Sequence, residues 1–313
     1  MYSGGRETGP AIGPVDGHQH WLGSGAERIF MWEKRAQTPL PRGLVLLVHG
    51  SSACARPTFD LQVPARPDAS LMNWLACSGF DVWCFDCRGY GRSYKGLEVA
   101  ATCSDGADDA AAVSQYIMDL RRLDRLFVYG TSSGALRASI FASRFPDRVG
   151  RLAVDGMVWT GRGSRTLEER RQKLAQWKAS TRRPVDPAFI RSIVTRDLVP
   201  SADPQLVDCF AEQALENDDV VPTGTYIDMC ENLPVVDPQA ILAPTLILRG
   251  EFDGVGTLED DLAFFAALKT ASKQIHVMAG MAHATNLQKN FFTSYQRVEQ
   301  FFSQSETAPL ERA

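Results

Sequence analysis

The sequence lacks the features that suit a protein to nucleic acid or to a membrane. Its 33 Lys and Arg are outnumbered by 37 Asp and Glu, which gives a formal net charge of −4 and no basic excess for a phosphate backbone. No apolar run reaches the length of a membrane-spanning helix, and residues 1–17 read as a loose arm without the basic and apolar segments of an export signal. We therefore expect a cytoplasmic protein, as a monomer or homodimer, that acts on a small molecule and binds neither nucleic acid nor a membrane.

Cysteine and histidine are too few and too scattered to indicate a metal site. The seven cysteines are odd in number, and the one Cys-x-x-Cys spacing, Cys84 and Cys87, lies across a strand end with no second pair to complete a site. Free thiols in a reducing compartment explain these residues better than disulfides. No glycine-rich loop has a phosphate-binding pattern, so neither a metal nor an organic cofactor is expected.

The most informative stretch of the sequence is residues 126–136. An apolar run typical of a buried strand ends at Gly130, and a helical pattern of apolar residues begins just after Gly134. A sharp strand-to-helix turn between them would hold the hydroxyl of Ser132 exposed, and glycine on either side makes room where a Cβ would collide. The spacing predicts a nucleophilic serine. An ordinary turn that contains a serine is the alternative, unless a base and an acid follow downstream.

Apolar strands alternate with helical patterns over most of the chain, which predicts an α/β fold with a mostly parallel, doubly wound sheet and helices on both faces. The alternation stops between about residues 159 and 237, where charged helical segments are separated by turns and no strand is obvious. We expect a helical cap insertion at 159–237, between an N-terminal part of the core at 1–158 and a C-terminal part at 238–313.

Polar residues follow the predicted strands at their carboxyl ends, where function gathers in an open α/β sheet. In chain order these residues are His49, Asp86, Ser132, Asp155, Asp253 and His283. The order of a serine, then an aspartate, then a histidine is that of one particular topology.

With these motifs the sequence resembles the α/β-hydrolase superfamily, and within it the capped serine hydrolases. The resemblance covers roughly residues 25–155 and 238–303. It rests on the Gly-x-Ser-x-Gly turn, the His49-Gly50 loop, the Asp-x-Arg-Gly-x-Gly-x-Ser loop at 86–93, and the late Asp253 and His283.

The resemblance implies a role for each of these residues. Ser132 would attack an acyl carbonyl, His283 would take its proton and later deliver it to the leaving group, and Asp253 would hold the imidazole in one tautomer. The backbone N–H groups of Ser133 and of Ser51 (or Ser52) would form the oxyanion hole.

Several of these assignments have alternatives. Asp155 is the rival to Asp253 as the acid, because a carboxylate after the sixth core strand also reaches the histidine in some members of this fold. His49 is better suited to holding the oxyanion loop than to acting as the base. His18 and His20 are interpreted as solvated residues of the N-terminal arm.

The substrate pocket is the least defined part of the prediction. Ser52, Trp159, Trp177 and Tyr226 are candidates for its lining, with ordinary packing between cap and core as the alternative for the aromatic residues. The charged run at 168–173 is interpreted as the solvated face of a helix. An aromatic lining would select a moderately hydrophobic acyl or alcohol group.

The sequence thus predicts a serine hydrolase that cleaves a small, moderately hydrophobic carboxylic ester through a Ser-His-Asp triad and an acyl-enzyme. A C–C bond hydrolase or a lactonase would use the same triad. A ligand-binding protein that kept the fold without catalysis is disfavoured, because all three catalytic residue types stand at the expected places.

Overall fold

The computed structural model of the protein describes residues 11–305. The first ten residues of the predicted arm at 1–17 lie outside the described residues. Residues 11–16 have no regular secondary structure, and the first strand begins at Gly17.

Eight strands of the described chain form one sheet, in the order β1-β2-β4-β3-β5-β6-β9-β10, and the other two form a separate ribbon. The strands are β1 Gly17–Leu22, β2 Ile29–Lys34, β3 Leu44–Val48, β4 Asp81–Phe85, β5 Leu126–Thr131, β6 Val149–Asp155, β7 Arg182–Pro184, β8 Val220–Pro222, β9 Thr245–Gly250 and β10 Lys273–Met278. Strands β1, β2 and β4 pair antiparallel, and all pairs from β4 to β10 in the large sheet are parallel. The predicted mostly parallel sheet is confirmed.

Helices cover both faces of this sheet, as predicted. They are α1 Ala55–Phe59, α2 Leu71–Cys77, α3 Cys103–Arg121, α4 Ser133–Arg144, α5 Arg165–Arg171, α6 Leu174–Lys178, α7 Pro187–Thr195, α8 Pro204–Asn217, α9 Gly224–Ile227, α10 Leu258–Ala267 and α11 Phe291–Phe302. A π-helical turn, Asp228–Asn232, follows α9 directly. None of the helices in residues 11–305 has the length and apolar character needed to cross a membrane.

The core strands are buried because both faces of the sheet are covered. Every residue of β3 is buried, which explains why its sequence is apolar throughout rather than alternating. The parallel strands β3, β5, β6 and β9 lie side by side, so their carboxyl ends meet at one edge of the sheet. This edge carries the residues that the sequence singles out.

Residues 159–237 lie between β6 and β9 and are called the insertion below. They are mostly helical, with α5 to α9, but they also contain the antiparallel ribbon of β7 and β8, so the expectation of no strand there is wrong. Each strand of the ribbon has only three residues, too few to produce an alternating pattern. Arg183 of β7 pairs with Val221 of β8, and both are buried.

The two N-terminal histidines belong to β1 rather than to a loose arm. His18 is exposed, as predicted, whereas the interpretation of His20 as a solvated residue is wrong. His20 is partly buried against Trp83, and its Nε2 lies 2.9 Å from Oε2 of the fully buried Glu33. His20 therefore has a structural role. It lies on β1, at the opposite edge of the sheet from β9 and β10.

Candidate active site

Ser132 occupies a strained turn between β5 and α4. Its backbone has φ +55° and ψ −129°, a conformation that L-residues adopt only when the surroundings impose it. Its N–H donates to the carbonyl of Asp155 at 2.8 Å, which fixes the turn to the neighbouring strand. A Cβ at Gly130 would overlap the carbonyl of Gly134, and one at Gly134 would overlap the carbonyls at the end of β3. Both glycines are therefore required for this close packing.

The structure brings Ser132, His283 and Asp253 into one hydrogen-bonded chain. His283 Nε2 lies 3.0 Å from Ser132 Oγ, and its Nδ1 lies 2.9 Å from Asp253 Oδ2. The carboxylate accepts the Nδ1 proton, which leaves the Nε2 lone pair facing the serine hydroxyl. The arrangement allows the imidazole to take a proton from Ser132.

The carboxyl group of Asp253 is buried and well supplied with hydrogen bonds. Burial raises its pKa, but attraction to His283 and hydrogen bonds from His283 and from the N–H of Val255, at 2.8 Å, more than offset that effect. The net pKa lies below the ordinary value, so Asp253 is ionised at neutral pH and stabilises positive charge on the imidazole.

Asp155, the other candidate acid, faces different partners. Its Oδ2 accepts hydrogen bonds from Tyr129 at 2.9 Å and from Thr285 at 2.6 Å, and it makes no hydrogen bond to His283. Burial raises the pKa of Asp155 to about 6 despite these two bonds. The geometry therefore favours Asp253 as the partner of the imidazole.

The loop after β3 carries the predicted oxyanion donors. His49 Nε2 accepts a hydrogen bond from the N–H of Cys87 at 3.0 Å, so the proton of the neutral ring is on Nδ1 and donates to the Gly50 carbonyl at 2.7 Å. Burial, and to a lesser degree the Arg137 cation, lowers the pKa of His49 to about 3, which keeps the ring neutral. The Gly50 carbonyl and the Ser51 N–H belong to one peptide unit. His49 therefore fixes the direction of the Ser51 donor.

Ser133, the second predicted donor, occupies the first position of α4. The N–H groups of a first helical turn have no carbonyl partner within the helix, so they are available to a ligand. The helix dipole adds partial positive charge at the same point. The predicted oxyanion groups thus lie on two separate segments, the loop between β3 and α1 and the first turn of α4.

Ser132 opens into a cavity of about 60 Å³ between the sheet edge and the insertion. Its core side consists of residues from the ends of β3, β5 and β10: Gly50, Ser51, Ser52, Ala53, Thr58, Thr131, Ser132, His283, Ala284, Asn286 and Leu287. Its insertion side consists of Arg170, Ile193, Arg196 and Phe210. We use "core side" and "insertion side" for these two sets together with the residues directly behind each of them.

The predicted pocket residues divide between lining and support. Ser51 and Ser52 line the cavity, whereas Trp159, Trp177 and Tyr226 do not. The indole of Trp159 donates to the carbonyl of Val236 at 3.1 Å and packs at the base of the insertion. Trp177 lies edge-on to Tyr226, with ring centroids 5.5 Å apart. Trp159 also packs on Phe264 of α10, with ring centroids 5.8 Å apart, so it joins the insertion to the core as the alternative described, whereas Trp177 and Tyr226 pack within the insertion.

The prediction from the sequence missed two arginines that line the cavity. Arg170 belongs to the charged run at 168–173, whose interpretation as a solvated helix face is wrong at this residue. Arg196 follows α7. Arg170 follows the buried Leu167 by three positions, so the two residues share one face of α5. This spacing was the signal that could have predicted an inward position for Arg170.

Comparison with known proteins identifies the family of this chain. A family model described as Hydrolase_4, serine aminopeptidase, S33, matches residues 39–290. No curated protein matches the chain in sequence.

Solved structures of the same fold include several enzymes. A monoacylglycerol lipase from Paleococcus ferrophilus is 18% identical, with a TM-score of 0.67 over 88% of this chain and 98% of that one. A malate-bound esterase from Thermogutta terrifontis is 22% identical, with a TM-score of 0.64 over 91% and 97%. An enol-lactonase from Burkholderia xenovorans is 17% identical, with a TM-score of 0.61 over 88% and 97%.

Proposed function

Because the chain belongs to the Hydrolase_4 (serine aminopeptidase, S33) family of α/β hydrolases, we propose that it is a serine hydrolase that cleaves a small carboxylic ester. The observation that carries the proposal is the hydrogen-bonded chain from Ser132 through His283 to Asp253, at 3.0 Å and 2.9 Å. These residues lie at the end of a cavity that admits a small molecule.

The reaction begins with attack by Ser132 Oγ on the ester carbonyl. His283 Nε2 accepts the hydroxyl proton, and Asp253 stabilises the imidazolium that forms. The proton then passes to the leaving alcohol as the C–O bond breaks, and an acyl-enzyme on Ser132 remains. Water, deprotonated by the same imidazole, releases the acid in the second half of the cycle.

The oxyanion of each tetrahedral intermediate is held by the N–H groups of Ser51 and Ser133. Removing one such donor costs on the order of 3 kcal/mol of transition-state stabilisation in related chemistry. His49 contributes as a positioning residue, because it fixes the peptide unit that carries the Ser51 donor.

The insertion serves in this proposal as a cap, and the chain divides at 1–158, 159–237 and 238–313. Residues of the insertion close the cavity opposite Ser132 and would exclude water from the acyl-enzyme. Support comes from the shared lining, in which Arg170 and Phe210 face the core side across the cavity.

A lactone is a second candidate substrate, because it is a cyclic ester and the same triad would open it. The similarity in fold to an enol-lactonase favours including lactones in the assay. The family is described as serine aminopeptidase, so amides are also included among the candidate substrates. Hydrolysis of an aminoacyl p-nitroanilide would test for this activity.

The test is hydrolysis of p-nitrophenyl esters of two to eight carbons by the wild type and by Ser132→Ala. We expect the variant to lose about 10⁴-fold or more in kcat and all labelling by a fluorophosphonate. Ser143→Ala is the matched control, because within residues 11–305 its hydroxyl bonds only to a carbonyl of its own helix, that of Ile140 at 2.9 Å. Labelling that persists in Ser132→Ala, or a wild type that turns over none of the esters, lactones or anilides, would contradict the proposal.

A further inference from the structure

The insertion side of the cavity is cationic, in contrast to the neutral or paired groups beside Ser132. Arg170 and Arg196 both line the cavity. They come from different segments, α5 and the turn after α7, and the fold brings them to one wall. Neither is required by the hydrolytic mechanism described above.

Arg170 has no anionic partner among the described residues. Within residues 11–305 its guanidinium forms neither a salt bridge nor a hydrogen bond, and its aromatic contact is with Tyr226, whose ring centroid lies 4.3 Å away. Burial lowers the pKa of Arg170, and the nearby cations Arg196 and Arg183 lower it further. The charge is thus placed among other positive charges and beside a cavity.

Arg196 is only weakly compensated. Its Nε lies 3.4 Å from Oδ1 of the adjacent Asp197, a long contact for an ion pair. The other carboxylate oxygen of Asp197 is buried and has no hydrogen-bond partner. The guanidinium therefore keeps donors that can bind a ligand in the cavity.

A third cation lies one layer behind this wall. Arg183 is buried, and its Nη2 donates to the Ser51 carbonyl at 2.9 Å and to Ser52 Oγ at 3.1 Å, while its Nε is buried without a partner. It lies 3.9 Å from the ring centroid of Tyr226. Burial raises the pKa of Tyr226, but Arg170 and Arg183 outweigh this and lower it to about 8, which reflects the positive potential of the region.

Cations in a partly desolvated wall are costly unless an anion pairs with them. A guanidinium binds a carboxylate through two parallel hydrogen bonds, and it is the preferred group for this recognition. We propose that the substrate is an ester that carries a second, ionised carboxylate, bound by Arg170 and Arg196 while Ser132 attacks the ester carbonyl. This inference rests on the proposed function of the site.

The remaining lining limits the chemistry of such a substrate. The apolar walls of the cavity are formed by Ile193, Phe210 and Leu287. These walls suit an aliphatic spacer between the ester and the carboxylate, and we take a short one for the test. A half-ester of a short dicarboxylic acid carries both an ester and a free carboxylate. A short hydroxy acid that is acylated on its hydroxyl group carries both as well.

The experiment compares anionic and neutral esters of matched size, with hydrolysis followed by pH-stat. Monomethyl glutarate against dimethyl glutarate places the charge on the acyl side, and butanoyl glycolate against its methyl ester places it on the alcohol side. We expect the wild type to favour the anion at least tenfold in kcat/KM in one of the two pairs. Arg170→Gln should reduce that preference about tenfold, mainly through KM, with a change of less than threefold on the neutral ester.

Two variants make the result specific. Arg165→Gln removes an exposed cation from the same helix and should leave the preference unchanged. Arg170→Lys keeps the charge and should retain part of the preference, and it also serves if Arg170→Gln does not fold. Neutral esters turned over with no anion preference in either pair would overturn this inference and leave the proposed function standing. No turnover of any ester and no fluorophosphonate labelling would instead remove the proposed function itself.

Discussion

The two sides of the cavity differ in how their polar groups are satisfied. On the core side the reacting groups are joined by hydrogen bonds: His283 to Ser132 and to Asp253, and Asp253 to the backbone of Val255. On the insertion side Arg170 has no such partner within the described chain, and behind it the Arg183 Nε and the Tyr226 hydroxyl make no hydrogen bond of normal geometry. The hydrogen bonds of Ser132, His283 and Asp253 fix their geometry before a substrate arrives. On the insertion side, the proposed carboxylate would supply the partner that Arg170 lacks.

This difference separates two kinds of effect on catalysis. Changes on the core side should lower kcat by the same factor for neutral and anionic esters, because they act on the reacting atoms or on their donors. Changes on the insertion side should alter the ratio between substrates. Each prediction below uses this distinction.

The largest core-side effect after loss of the nucleophile is expected for Asp253→Asn. The amide would stabilise the wrong imidazole tautomer and would not stabilise the imidazolium, so kcat should fall by about 10³–10⁴-fold. Steady-state kinetics on monomethyl and dimethyl glutarate should show equal losses. A loss of kcat under tenfold in Asp253→Asn, together with a loss of 10³-fold or more in Asp155→Asn, would show that Asp155 is the acid partner of His283.

A moderate effect is expected when the Ser51 peptide loses its anchor. His49→Ala removes the Nδ1–H bond to the Gly50 carbonyl and should lower kcat by about 10–100-fold on both kinds of ester, part of the 10²–10³-fold worth of a full oxyanion donor.

His49→Asn is the matched control, because its side-chain amide can still donate to Gly50 although it no longer accepts from Cys87. It should recover a large part of the rate at the same KM. Equal rates for the two variants, with equal melting temperatures, would show that His49 acts only through packing.

The smallest effect concerns stability rather than rate. Asp155 has a native pKa of about 6 against an ordinary value of 3.8, so between these values the native state holds a proton that the unfolded state has lost. Stability from this group therefore falls as pH rises towards 6, and the fall should be absent in Asp155→Asn. When the pH rises from 5 to 7.5, the unfolding free energy of the wild type should fall by about 1 kcal/mol relative to that of Asp155→Asn. Urea denaturation at the two pH values measures this difference. A difference independent of pH would mean that the carboxyl titrates normally.

The sequence predicted the core side far better than the insertion side, for a physical reason. Ser132, Asp253 and His283 each follow a strand that is predicted from an apolar run. A parallel sheet brings the carboxyl ends of its strands to one edge. Arg170 and Arg196 follow no such rule, because their convergence depends on how α5 and α7 pack over the cavity. A short ribbon such as β7 and β8 has no periodicity to detect. Within a charged run, only the spacing from a buried residue such as Leu167 distinguishes an arginine that faces a cavity from one that faces solvent.

The contact at Gly134 has a consequence for thermal inactivation. The backbone of α4 lies directly against the carbonyls of Val48 and His49, so the turn that carries Ser132 and Ser133 is held by the packing of a helix on a sheet. We therefore expect this turn to lose its geometry on heating only when the sheet itself unfolds.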